Sequence, residues 1–190
     1  MSDDFHSIDW PAALLEQARD IRMVVFDVDG VMTDGRLYRD DAGNEIKAFH
    51  SRDGLGMKGL MNSGYRVAVL TARRSRLVEH RMTELGIELF EQGRHDKGEA
   101  FNELLSKADI QAANTAYMGD DLVDWPAMSQ AALKVCPADA DAWICGQADY
   151  ITQARAGRGA VRELCELLLN ASGQLADWRA GFGIQGKKKP

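Results

Sequence analysis

Two aspartates one residue apart close the run Val24-Val25-Phe26-Asp27-Val28-Asp29-Gly30. Side-by-side carboxylates repel each other, so a metal ion, a proton or a cationic side chain is expected between them. A hard divalent cation such as Mg²⁺, held by one or two carboxylates with phosphate oxygens and water, meets that demand. A plain strand-end turn and a Ca²⁺ loop are the other accounts of Asp-x-Asp-Gly. The Ca²⁺ loop is disfavoured, because no helix leads into the segment and no glutamate closes a twelve-residue loop. Three further clusters suit the same chemistry: Thr71 with Arg73, then Lys97, then Asp120-Asp121 with Asp124. Arg73, Arg74 and Lys97 fall where helices are expected to begin, and cations are mildly disfavoured there unless an anion lies close. Phosphate is such an anion. Asp120 and Asp121 also have a simpler reading, as helix caps.

The elements that must carry these residues alternate along the chain. An amphipathic helix is expected over Ile8 to Arg19, then a buried strand Met23 to Phe26. The turn cluster Asp40 to Asn44, flanked by alternating apolar and polar residues, predicts a small β-hairpin flap over about 35–50. A helix capped by Ser51 or Asp53 stops near Gly64, and a strand Tyr65 to Thr71 follows. Further helices are expected over Ser75–Leu85, Asp96–Ala108, Leu122–Ser129 and Gly159–Ala171, with a helical turn at Asp139–Ile144. Short strands are expected at Ile87–Phe90, Thr115–Gly119, Ala132–Cys136 and Asp149–Ile151. This alternation predicts an α/β fold, a doubly wound, mostly parallel sheet of Rossmann-like type. All four polar clusters then fall at strand carboxyl ends, the edge where such sheets bind ligands. Residues 1–172 read as one domain, and Gly173 to Pro190 as a tail outside the core.

Composition narrows the function. The chain has 190 residues and a formal charge of −6, which argues against general nucleic-acid affinity. Lys187-Lys188-Lys189 reads as a solvated basic end. The acidic start lacks a signal-peptide core, no stretch is long and apolar enough to span a membrane, and Cys136, Cys145 and Cys165 have no metal spacing. A cytoplasmic protein with reduced thiols is expected.

Asp27-Val-Asp-Gly-Val-x-Thr-Asp-Gly, Leu70-Thr71-Ala-Arg73, Lys97 and Gly119-Asp120-Asp121-x-x-Asp124 together resemble the four ordered motifs of the haloacid-dehalogenase-like (HAD-like) phosphohydrolases. The resemblance implies that Asp27 attacks phosphorus, giving an aspartyl-phosphate, while Asp29 protonates the leaving alkoxide and then activates water. It implies that Thr71 and Lys97 hold the phosphoryl oxygens. Mg²⁺ would be bound by Asp27, the backbone carbonyl of Asp29 and Asp120, with Asp121 and Asp124 in support. The intervals from Asp29 to Thr71 and from Thr71 to Lys97 cannot house a cap domain, so a bulky substrate or a neighbouring subunit must complete the pocket.

Three stretches resemble the capless branch that converts 3-deoxy-D-manno-octulosonate 8-phosphate (KDO 8-phosphate) to KDO and phosphate for lipopolysaccharide precursors. They are Ile46 to Gly54, Gly119 to Pro126 and Gly157 to Glu163. This likeness implies a homotetramer whose tail reaches a neighbour's site. It also implies a sugar acid phosphate bound along Asp29, His50, Ser51, Arg52, Asp53, Gly54, Lys58, Arg73, Arg81 and Lys97. His50 and Lys58 stand where the branch is expected to carry asparagine and arginine, and both keep hydrogen-bonding capacity. Guanidinium forks at Arg52, Arg73 and Arg81 suit the carboxylate of such a substrate. Two rivals remain: a phosphatase for a nine-carbon acid sugar phosphate, and a non-hydrolytic phosphorylation switch like a receiver domain. Receiver domains lack an acid two residues beyond the phosphorylated aspartate, and Asp29 separates the readings.

Overall fold

The apolar runs become strands because their β-branched and large residues can be buried on both faces of a sheet. The computed structural model describes residues 8–183. In chain order its elements are α1 (Ala12–Arg19), β1 (Met23–Phe26), β2 (Tyr38–Arg39), β3 (Glu45–Ile46), α2 (Ser51–Asn62), β4 (Arg66–Thr71), α3 (Arg76–Leu85) and β5 (Leu89–Gln92). They continue with α4 (Lys97–Ala108), β6 (Thr115–Met118), α5 (Trp125–Met128), β7 (Leu133–Cys136), α6 (Ala142–Gln147), β8 (Tyr150–Ile151), α7 (Ala160–Ala171) and α8 (Leu175–Ala180). Six strands form a parallel sheet in the order β5-β4-β1-β6-β7-β8, and β2-β3 is a separate antiparallel flap.

Period-two alternation splits the core into two layers. Val24 and Phe26 of β1 pack with Leu60, Met82, Leu164 and Leu168 from α2, α3 and α7. Met23 and Val25 face Phe101, Leu104, Met128 and Ile144 from α4, α5 and α6. From β1 the chain winds outward through β4 and β5, then returns to β6 and winds the other way. The crevice beside the carboxyl end of β1 is therefore the topological switch point.

Local chemistry moves some expected boundaries. Pro11 keeps Trp10 out of helical geometry, so α1 starts at Ala12 and not at Ile8. The ring of His50, in place of Ser51 or Asp53, caps α2, its Nδ1 accepting from Arg52 N at 3.2 Å. The expected helix over Leu122 to Ser129 divides into a 3₁₀ turn (Leu122–Asp124) and α5. The cause is the Asp124 side chain, which folds back onto the backbone N–H groups of Asp120 and Asp121. The tail is only partly outside the core. Leu175 of α8 is buried in the first layer, and Trp178 lies over the Arg162 guanidinium at 4.4 Å. Residues 184–190, including the lysine run, lie outside the described residues. Among the described residues no helix is long and apolar enough to cross a membrane.

The loop before α7 presses on the segment that follows β1. Gly157 has φ +61°, its N–H donates to Val31 O at 3.0 Å, and a Cβ there would stand 2.7 Å from backbone atoms of Thr33 and Asp34. Backbone cannot yield as a flexible side chain can. Gly157→Ala is expected to cost about 2–4 kcal/mol, from the left-handed conformation plus overpacking, read as a lower urea midpoint with unchanged slope.

Candidate active site

Four loops leave the carboxyl edge of the sheet and converge on one cavity of about 190 Å³. Asp27, Asp29, Thr71, Arg73, Lys97, Asp120 and Asp121 line it, with Ala72 and Val123 on its wall. Lys97, the first residue of α4, is 1% exposed, and its Nζ donates to Asp27 Oδ1 at 2.8 Å and Asp124 Oδ1 at 2.6 Å. The Tyr117 hydroxyl, rising from β6, donates to the same Asp124 oxygen at 2.9 Å. Asp124 Oδ2 accepts from Asp120 N at 3.0 Å and Asp121 N at 3.3 Å, so its carboxylate is fully engaged. Asp121 caps its own turn, accepting from Leu122 N at 2.7 Å. Gly30, at φ +91°, makes room for Asp120: a Cβ there would stand 2.0 Å from Asp120 Oδ2. A larger hollow of about 480 Å³ opens beside Arg19, Arg22 and Tyr65 at the amino edge of the sheet, but no carboxylate lines it.

The flap reaches two of the lining residues, Asp29 and Arg73. Lys47 Nζ pairs with Asp29 Oδ1, and Arg73 Nε stands 3.5 Å from Asp29 Oδ2. Glu45 accepts from Arg73 Nη2 at 2.6 Å and from Ser75 Oγ at 2.9 Å.

With that geometry established, the kinship of the chain is informative. Residues 90–164 match the family described as haloacid dehalogenase-like hydrolase. The KDO 8-phosphate phosphatase of Escherichia coli K12 is 46% identical over 164 residues, 86% of this chain and 87% of that protein. The chain belongs to the haloacid dehalogenase-like hydrolases. The KDO 8-phosphate phosphatase of Yersinia pestis superposes on this HAD-like hydrolase with a TM-score of 0.85 at 45% identity, covering 86% of this chain and 89% of that one. The Moraxella catarrhalis enzyme, crystallised with magnesium, phosphate and KDO, gives 0.87 at 38% identity, covering 90% of this chain and 98% of that one. The expected fold is thus observed, six parallel strands with a small hairpin.

Among the residues expected to bind substrate, Asp29, Arg73 and Lys97 line the cavity; His50, Ser51, Arg52, Asp53, Gly54, Lys58 and Arg81 do not. Six of them belong to α2 and its cap instead, and Arg81 of α3 packs against Gly54 of that helix. Asp53 is 2% exposed and accepts from Arg162 N at 2.9 Å, so it ties α2 to α7. Gly54 lets the Arg81 guanidinium lie against α2, where a Cβ would meet Nη2 at 2.3 Å. Lys58 is exposed, as are Ser51 and Arg52. Sequence reasoning overlooked Lys47, Glu45 and Tyr117. The alternation Glu45-Ile46-Lys47, which puts two charges on one side of a flap strand, was the available signal for the first two. A tyrosine within an apolar strand offers none.

A cation fits the carboxylates of this HAD-like hydrolase. Oxygens of Asp27, Asp120 and Asp124 lie within 4.8 Å of one another. Burial, then the neighbouring Asp124, pushes Asp27 up to about 7 against the pull of Lys97. Burial, then Asp27 and Asp124, pushes Asp120 up to about 8. Because the oxygens of Asp124 already accept four hydrogen bonds, Asp27 and Asp120 are the free donors and Asp124 is their buttress. The fold holds these protons more tightly than the unfolded chain, so the contribution of both groups to stability falls as pH rises from about 4 to 8. Protons and Mg²⁺ compete for the same oxygens, so the rise in Tm on adding Mg²⁺ is expected to be larger at pH 8 than at pH 5.5. Asp120→Asn is expected to raise the metal-free Tm at pH 8 and to abolish the Mg²⁺ response, read by differential scanning calorimetry.

Proposed function

We propose that this chain is a Mg²⁺-dependent phosphomonoesterase that converts KDO 8-phosphate to KDO and phosphate. The observation that carries the reading is the convergence of Asp27, Asp29, Thr71 and Lys97 on one cavity, in a chain so similar to KDO 8-phosphate phosphatases. Asp27 is the nucleophile and Lys97 favours its ionised form. As the ester O–P bond breaks and the Asp27 O–P bond forms, Asp29 gives its proton to the departing alkoxide. It then takes a proton from the water that cleaves the aspartyl-phosphate. Thr71 and Lys97 hold the equatorial phosphoryl oxygens, where negative charge gathers. Asp27, the Asp29 carbonyl and Asp120 would hold Mg²⁺, with Asp121 and Asp124 supporting, and the bound ion supplies charge neutralisation at the phosphoryl group.

A cavity of about 190 Å³ suits a phosphoryl group but is below the ~300–1,000 Å³ of sites that engulf a whole ligand. The eight-carbon acid therefore extends outside it, past Arg73 toward the α2 surface of His50 to Gly54, Lys58 and Arg81, where the buried Asp53 and Gly54 shape that surface from beneath, with a neighbouring subunit completing the wall. Leu37, Tyr38 and Ile46 project from the flap, 55%, 40% and 59% exposed, which supports burial of the flap in a homotetramer. All three described cysteines are free, in keeping with a cytoplasmic compartment.

Phosphate release from a panel of sugar phosphates tests the reading. KDO 8-phosphate is expected to be preferred, EDTA to stop turnover, and Asp29→Asn to lower kcat by ~10²–10⁴. Preference for a nine-carbon acid sugar phosphate would replace the substrate, and turnover indifferent to EDTA would remove the metal. Light scattering is expected to give the mass of four chains, falling for Ile46→Asp.

A further inference from the structure

The flap strand is patterned against the usual rule, with charge inward and an apolar side chain outward. Ile46 is 59% exposed, whereas the Lys47 side chain is 2% exposed. Lys47 reaches under the flap to Asp29 Oδ1, with Glu45 Oε1 3.8 Å away. Asp29 Oδ2 is buried and accepts no hydrogen bond, so among the described residues Lys47 supplies the one hydrogen bond that the Asp29 side chain receives. Asp27, by contrast, is held by Lys97. Two buried lysines thus serve two aspartates, one from α4 and one from the flap.

From this geometry we infer that Lys47 is the positioning residue for Asp29, fixing its carboxyl where it meets the departing oxygen. This rests on the reading of Asp29 as the proton carrier. A lysine ammonium has three donors and a desolvated site leaves it few alternatives, so it stays on Oδ1 of the Asp29 carboxyl group and leaves Oδ2, which accepts no hydrogen bond, for the transferred proton. Glu45 adds a second tie, because the same carboxylate that approaches Lys47 also holds Arg73 and Ser75. The flap is thereby fastened to Asp29 and to the loop after β4 at once.

The leaving group separates positioning from mere anchoring of the flap. An alkyl phosphate needs its proton, while p-nitrophenolate departs without one. With Mg²⁺ present, Lys47→Met is expected to lose about tenfold or more in kcat/KM on the sugar phosphate, and little on p-nitrophenyl phosphate. Mg²⁺ affinity, read by calorimetry, should be unchanged, and Lys47→Arg should recover most of the loss. In an Asp29→Asn background, Lys47→Met should cost nothing further. Equal losses on both esters, losses that multiply with Asp29→Asn, or no loss at all would each overturn the role. Should the wild-type chain release phosphate from neither ester, the phosphatase reading itself fails; intact wild-type turnover untouched by Lys47→Met fails Lys47 alone.

Discussion

The Lys97 ammonium lies between Asp27 and Asp124 with almost no water around it, and Asp120 and Asp121 crowd the same space from the end of β6. One fixed positive charge faces several negative ones at short range and in low dielectric. Removing one partner from such a buried pair commonly costs ~3–5 kcal/mol, because the remaining charge has nowhere to go. Every carboxylate must therefore be pinned by something. Asp124 is pinned by Lys97, Tyr117 and two backbone N–H groups. Asp120 is accommodated by the missing side chain at Gly30. Burial first, and then the residual repulsion among the carboxylates, hold Asp27 and Asp120 up, and together they give the site its appetite for a cation.

A parallel sheet suits this arrangement for a mechanical reason. β1, β4 and β6 are adjacent and run the same way, so their ends deliver Asp27, Thr71 and Asp120 to one edge without long loops. The two apolar layers clamp β1 from both sides, so the aspartate pair stands on one of the most buried segments of the molecule. The loop at Gly157 braces the segment that follows the aspartate pair, which couples the start of α7 to the turn after β1.

Much of this was legible in the amino-acid sequence, for physical reasons that differ by element. Strongly apolar runs such as Met23 to Phe26 and Val67 to Leu70 have few alternatives to a buried strand, so the order of elements followed from pattern. Asp27, Lys97 and Asp120 stood out because their types were wrong for their positions: charges at the ends of buried strands or at a helix start. Boundaries were less accessible, since side chains distant from the expected cap decided them. The Asp124 carboxylate broke an expected helix, and the His50 ring displaced two better-known capping residues. α8 escaped notice because six residues hold too little periodicity, and its docking depends on Gly59, which leaves space for the Trp178 ring. Lys47 was hidden by the convention that lysines on hairpins face water.

The inverted flap strand also limits how this hairpin can change. Its tip, Asp40 to Asn44, is exposed; Asp41 and Ala42 can be replaced with little disturbance, whereas the Asp40 carboxylate holds Asn44 and Gly43 stands at φ +84°. An insertion or deletion of one residue between the tip and Lys47 is a different matter. Since neighbouring side chains on a strand point opposite ways, such a change would turn Ile46 onto Asp29 and leave two charges facing out. An exposed loop remote from the chemistry is thereby constrained in its length more than in the composition of its outermost residues.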